Sequence, residues 1–323
     1  MMRRSTILFS AGTVLGVVLG ASAPSAEADG HDYLNACYRK GEAGKHEEAV
    51  DLCTRAINSG TLSTDELVTA YGNRMIGYRG LREFDKALAD CSKALALNPN
   101  DMDVHFACAN AYGGKGDYAS AIQHADVVLK ADPEDAIAHN NRGNFLNQTG
   151  DYTQALQAFE TAIRLDAHYA LARLNRGVAL FNLGRFPEAT KALEEAFTAS
   201  PEDAYVLLWL TLARGRAGIA VSPESVLAAA DDISRTDWPW PIVAYFGGKS
   251  IDFAEAVRMA DTALEAGGTD TSDQDCEASF FYGEMAILRG KKAEAKARLQ
   301  HAADTCPKTF IEHGGALAEL SRF

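Results

Sequence analysis

The chain has 323 residues, 47% hydrophobic and 23% charged, with 31 Lys and Arg against 44 Asp and Glu for a formal charge of −13. This composition describes a globular chain able to bury a substantial core and excludes a mainly disordered one. The acidic balance, without any Lys/Arg cluster, excludes nucleic acid as a partner, because phosphate binding needs a basic footprint.

In chain order, residues 1–28 read as a secretion signal. Arg3 and Arg4 form the charged start, Ile7 to Leu19 an apolar stretch too short to span a bilayer comfortably, and Ala26-Glu27-Ala28 a small-residue site for cleavage before Asp29. The rival reading of this stretch is an uncleaved anchor. No Cys follows it, so no lipid anchor is expected, and the mature chain is expected to be free in the periplasm.

From residue 29 onward the sequence repeats. Ala87-Leu88, Ala121-Ile122, Ala155-Leu156 and Ala189-Thr190 recur every 34 residues, and Pro99, Pro133 and Pro201 fall on the same ruler. Gly150 and Gly184 do too, as do Ala94, Ala162 and Ala196. A 34-residue period with small residues in these places is the tetratricopeptide signature, in which each repeat is a pair of antiparallel helices. The small residues let the helix backbones approach closely, and proline ends the second helix of each pair. Gly-Asp-Tyr at 116–118 and 150–152 then belongs to turns rather than ligand loops.

The fold expected is all-α, a tetratricopeptide-repeat solenoid of about six clear and two degenerate repeats with a C-terminal capping helix. An N-terminal array, 29–203, holds repeats near 30–63, 68–101, 102–135, 136–169 and 170–203. A C-terminal region, 204–323, holds worn copies at 204–236 and 237–270, a well-formed one at 276–309 and a cap helix at 310–321. On this ruler Ala244, Phe253, Ala256 and Ala263 keep the expected places of the second worn copy. Trp240 takes a core place, whereas Trp238 precedes the helix, has no place in the packing, and is the candidate dimer or partner surface.

Six cysteines in an exported chain point to disulfides. Six allow fifteen pairings. Repeat geometry selects Cys37–Cys53 within the first repeat, Cys91–Cys108 across adjacent repeats and Cys276–Cys306 at the two ends of one hairpin. Buried free thiols are the competing reading.

Nothing in the sequence carries catalysis. Phe246-Gly-Gly-Lys-Ser250 lacks the earlier glycine of a phosphate loop, His46-Glu47-Glu48 lacks the second histidine of a zinc-protease helix, and no G-x-S-x-G occurs. No C-x-x-C pair exists for zinc. His105 and His139 stack in successive repeats, but two imidazoles alone are a poor metal site, and packing is the plainer role. No catalytic residue, cofactor or metal is expected.

What remains is a surface. The first helices of such repeats line a concave groove, and here they would present Asn73, Arg79, Asn110, Asn140, Asn141, Asn144, Asn147, Gln148 and Asn175. Amides both donate and accept, so a ladder of them suits the backbone of an extended peptide. Frequent Asn at this place of the repeat is the alternative explanation.

The second half narrows the reading. Tyr205-Val-Leu-Leu-Trp-Leu, Trp238-Pro-Trp-Pro-Ile-Val-Ala-Tyr-Phe-Gly, Phe281-Tyr-Gly, Phe310-Ile-Glu-His and Ala316-Leu-Ala-Glu-Leu together resemble the NlpI-type tetratricopeptide lipoproteins. That resemblance implies an exported, dimeric, non-enzymatic adaptor that brings peptidoglycan hydrolases, especially endopeptidases, to an envelope protease or into larger assemblies. The departure is the missing lipid-bearing Cys. A chaperone-like module that binds peptides or unfolded clients is the other reading.

Overall fold

A computed structural model describes residues 29–236, 238–249, 251, 255 and 272–323. The signal-like stretch 1–28 and the places held by Phe253, Ala256 and Ala263 lie outside the described residues.

The described residues form sixteen helices and no strand. They run α1 (Gly30–Glu42), α2 (His46–Asn58), α3 (Thr64–Gly80), α4 (Phe84–Leu97), α5 (Met102–Lys115), α6 (Tyr118–Ala131), α7 (Ala136–Gln148) and α8 (Tyr152–Leu165). There follow α9 (Ala170–Asn182), α10 (Phe186–Ala199), α11 (Ala204–Arg216), α12 (Pro223–Ala229), α13 (Trp240–Phe246), α14 (Ser272–Leu288), α15 (Lys292–Thr305) and α16 (Ile311–Leu320). The architecture is that of tetratricopeptide helix pairs followed by a C-terminal helix.

Local chemistry sets the helix ends. Asp101, Asp117, Asp151 and Asp203 each accept backbone N–H groups at a helix start, and Ser63 with Glu66 closes a reciprocal capping box on α3. The turn inside each pair needs a left-handed residue, supplied by Gly116 (φ 84°), Gly150 (φ 83°), Gly184 (φ 74°) and Gly218 (φ 77°). Arg82 stands on the same 34-residue ruler and takes φ 60°, a conformation that an L-residue adopts at a penalty. Ala49, Ala56, Ala87, Ala94, Ala121, Ala155, Ala162 and Ala189 are all fully buried, and their size lets neighbouring helices close up.

Two compact units divide the described chain after Phe145, within α7. In residues 29–145, successive helices α1 to α6 pack each on the next. Cys37–Cys53 joins α1 to α2 and Cys91–Cys108 joins α4 to α5, with Cα separations of 5.2 and 5.6 Å. The repeat seams are also stitched by residues four places into the first helices. His105 Nε2 bonds the carbonyl of Pro99 at 3.0 Å, and His139 Nε2 bonds that of Pro133 at 3.0 Å. With Nε2 donating, His105 Nδ1 is left to accept from His124 Nδ1, 2.8 Å away. Both stacked histidines therefore fasten repeat ends, and no group of three metal-binding side chains occurs among the described residues.

In residues 146–323 the core is aromatic. Every residue of α11 from Ala204 to Ala213 is buried, so this helix is apolar on all sides and must be covered all round. Trp209, fully buried, meets Phe181 of α9 and both Phe280 and Phe281 of α14, with ring centroids 5.3, 5.1 and 6.0 Å away. Cys276–Cys306 ties the start of α14 to the end of α15 with Cα atoms 4.9 Å apart.

The two tryptophans of the WPWP stretch differ from expectation. Trp240 is half-buried beneath the Arg235 guanidinium rather than sealed in the core; Pro241, Ile242, Val243, Ala244 and Phe246 fill that core instead. Trp238 does have a place in the packing. Its half-buried indole donates from Nε1 to Glu277 Oε2 at 2.7 Å, and the same buried carboxylate accepts from the Tyr205 hydroxyl at 2.8 Å. A buried acceptor carboxylate calls for donors, and the indole N–H is one of them.

Candidate functional site: the first-helix face

The first helices of the pairs form the face that sequence reasoning assigned to binding. In residues 29–145 this face is open between α3 and α5. A pocket of about 100 Å³ is lined by Asn73, Ile76 and Arg79 of α3 and by Asp103, Phe106 and Asn110 of α5, together with Val68 and Ala107. Asn73 and Arg79 are half-buried, and Asn110, 2% exposed, sits deep in the wall. Burial pushes the Arg79 guanidinium down to about 10, which still leaves it cationic at neutral pH. Desolvation first, and the neighbouring Asp101 second, push the Asp103 carboxyl above its ordinary value. The pocket thus offers amides, one cation, the carboxylates of Asp101 and Asp103 and apolar side chains, the ingredients for holding a peptide main chain beside an apolar side chain.

The remaining amides are not an open ladder. Asn140, Asn141, Asn144, Asn147 and Asn175 are each 3% exposed or less. Asn141 Nδ2 donates to Asn110 Oδ1 at 3.3 Å, so these two amides are engaged with one another, while Asn144 Nδ2 is buried without a hydrogen-bond partner. The expected groove is corrected at α7 and α9, and its accessible part is α3–α5.

In residues 146–323 the same face is covered by α16. Gln148 Nε2 donates to the Phe310 carbonyl at 3.0 Å, and the Tyr152 hydroxyl donates to the Gly314 carbonyl at 3.2 Å. Arg322 donates to the carbonyls of Phe181 and Asn182 at the end of α9. Gly315 lies flush on the aromatic core: a Cβ there would stand 2.8 Å from Phe280 and 3.2 Å from Trp209. The C-terminal helix therefore does more than cap the last pair; it reaches back across α14 to α9. Sequence reasoning missed Asn182, although it repeats the place of Gln148 one period later. Arg216 falls on the same place one further period on, whereas Glu284, Glu319 and Arg322 carry no such periodic signal.

Those four charges hold α16 down. Arg216 Nη1 lies 2.9 Å from Glu284 Oε2 and 2.8 Å from Glu319 Oε2, and Arg322 also pairs with Glu319. Burial, then the Glu319 carboxylate, push Glu284 up to about 8, against the pull of Arg216. A carboxyl raised in the folded state binds a proton that the unfolded chain has already lost. Its contribution is complete below about pH 4.5 and disappears as pH rises to about 8. His46, His124 and His313 are lowered, chiefly by burial, and work in the opposite sense below their ordinary value, so the comparison must be made by difference. In urea unfolding at pH 5, 6.5 and 8, the Glu284→Gln variant should lose up to about 1.4 kcal/mol per pH unit of the negative slope carried by this group. An unchanged slope would remove Glu284 from the account.

Comparison with known proteins agrees with the helix pairs. Residues 76–136, 106–170 and 146–204 match the family model described as tetratricopeptide repeat. The mitochondrial import receptor subunit TOM70 of Rattus norvegicus is 33% identical over 107 residues, 32% of this chain and 18% of the receptor. The Homo sapiens receptor is 35% identical over 72 residues, 22% of this chain and 12% of that protein. The chain thus spans less than a fifth of the length of these relatives. A tetratricopeptide repeat protein from Parabacteroides merdae superposes with a TM-score of 0.55 at 14% identity, covering 90% of this chain and 98% of the other, which is a likeness of fold. Residues 76–204 carry tetratricopeptide repeats, a scaffold for protein–protein interaction, and the same architecture continues beyond them.

Proposed function

We propose that this chain is a non-enzymatic adaptor of the periplasm that holds protein partners in the first-helix pocket between α3 and α5. The observation that carries the reading is that pocket, where Asn73, Arg79 and Asn110 stand beside apolar side chains, whereas the amides of α7 and α9 are buried. The three disulfides support an oxidising compartment. The resemblance of the second half to NlpI-type proteins supports a homodimeric adaptor whose partners are peptidoglycan hydrolases or an envelope protease. Its mechanism is co-localisation, in which tethering raises effective concentration without new chemistry.

The test compares affinity capture from an envelope extract by the wild-type chain and by Asn73→Ala/Arg79→Ala. Loss of a charged hydrogen bond amounts to about 1.5–3 kcal/mol, or roughly 10- to 100-fold in affinity. A defined hydrolase or protease should bind the wild type and be lost from the variant, with the melting temperature nearly unchanged. Equal retention by both proteins would place the partner elsewhere. A broad collection of unfolded clients would replace the adaptor by a chaperone-like module.

A further inference from the structure

We propose that α16 is a resident, displaceable ligand of the first-helix face of residues 146–323, and that a helical segment of a partner protein, with a small-residue stripe and a carboxylate, binds there in its place. The inference rests on the adaptor reading and adds a second surface to it, independent of the α3–α5 pocket.

The contacts of α16 are those of a bound peptide. Gln148 of α7 and Tyr152 at the start of α8 donate to the main-chain carbonyls of Phe310 and Gly314, while Arg322, on the resident segment itself, donates to the carbonyls that end α9. The contacts from Gln148 and Tyr152 tolerate any sequence that offers the same main chain, whereas the one from Arg322 asks the incoming segment for a side-chain donor. Specificity comes from shape and charge instead: Gly314, Gly315, Ala316 and Ala318 fit against the face, and Glu319 shares Arg216 with Glu284. A partner helix with the same small residues and one acidic group would meet the same demands.

The seat is also incompletely satisfied. Gln148 Oε1 and Asn182 Oδ1 are buried without a hydrogen-bond partner, and Gln148 Oε1 faces Gly314 directly, 3.3 Å from where its Cβ would stand. A helix bearing a donor opposite these oxygens binds better than the resident one, which gives displacement a thermodynamic drive.

The covalent frame confines the movement. Cys276–Cys306 holds α15 on α14, and only residues 307–310 separate that staple from α16. Release of α16 therefore leaves the helix pair beneath it intact, a local opening rather than unfolding.

The probe is a fluorescent synthetic peptide of residues 307–323, added to the full-length chain. In the Gly315→Leu variant the new side chain would drive into Phe280 and Trp209, so the chain's own α16 is expelled and the seat vacated. This variant is expected to bind the peptide at least tenfold more tightly than wild type, by fluorescence anisotropy, with helical circular dichroism preserved. Absence of binding to a folded Gly315→Leu chain overturns the proposal. Hydrogen exchange on the wild type keeps it testable should that variant misfold: α16 amides should exchange at least tenfold faster than those of α14 and α15, and equal protection overturns it. A wild-type dimer that Gly315→Leu abolishes would give the seat to a second copy of this chain and overturn the assignment to a partner protein.

Discussion

Trp209→Ala should destabilise the chain by about 3–5 kcal/mol, the range found when a large aromatic is removed from a packed core. Trp209 is fully buried and touches rings on both α9 and α14. It also forms part of the floor beneath Gly315, so the vacated volume opens under α16 as well. The indole N–H has no hydrogen-bond partner, and Trp209→Phe therefore removes a buried unsatisfied donor along with part of the ring. The expected order in urea titration is wild type close to Trp209→Phe, with Trp209→Ala far below both. A Trp209→Ala midpoint within error of wild type would show that the aromatic cluster is not the core of this unit.

Arg74→Ala is the second large effect, again about 3–5 kcal/mol, because it strands a buried carboxylate. Arg74 grips Asp90 with two bonds, Nε to Oδ2 at 2.6 Å and Nη2 to Oδ1 at 2.8 Å, and the side chains are only 10% and 2% exposed. Its Nη1 reaches the Thr54 hydroxyl at 2.9 Å, so the one guanidinium links α2, α3 and α4. Lys93, 3.3 Å from Asp90, is half in solvent and cannot replace the bidentate pair. The double variant Arg74→Met/Asp90→Leu should recover most of the loss, since an apolar pair carries no desolvation penalty. If the single and double variants are equally destabilised, the deficit lies in packing rather than in the uncompensated charge.

The local features were readable in the chain. Gly116, Gly150, Gly184 and Gly218 stand at 34-residue intervals because every pair turns with one left-handed residue, and the buried alanines follow the same ruler. His105 and His139 could be placed as equivalent, but their partners, the carbonyls of Pro99 and Pro133, emerged only when the repeat ends folded against the helices. The amides show the limit more sharply. Asn73 and Asn141 occupy the same place two repeats apart, yet Asn73 lines an open pocket while Asn141 is spent on Asn110. Residue type and periodic place were equally good for both. Trp238 was misjudged for a related reason, since its partner Glu277 lies 39 residues away, across a stretch where the repeat is worn.

By itself, then, the sequence determined the helix-pair architecture, the turns and the class of surface that such pairs present, because these follow from contacts a few residues or one period apart. Only the tertiary structure decided which part of that surface is free. The bonds from Gln148 to Phe310 and from Tyr152 to Gly314 each span 162 residues, and no periodic pattern reports contacts of that range. Whether α16 covers a face depends on the shape of Gly315 against Phe280 and Trp209 and on one arginine shared by two buried carboxylates. Those are properties of surfaces brought together by folding, not of any local run of residues.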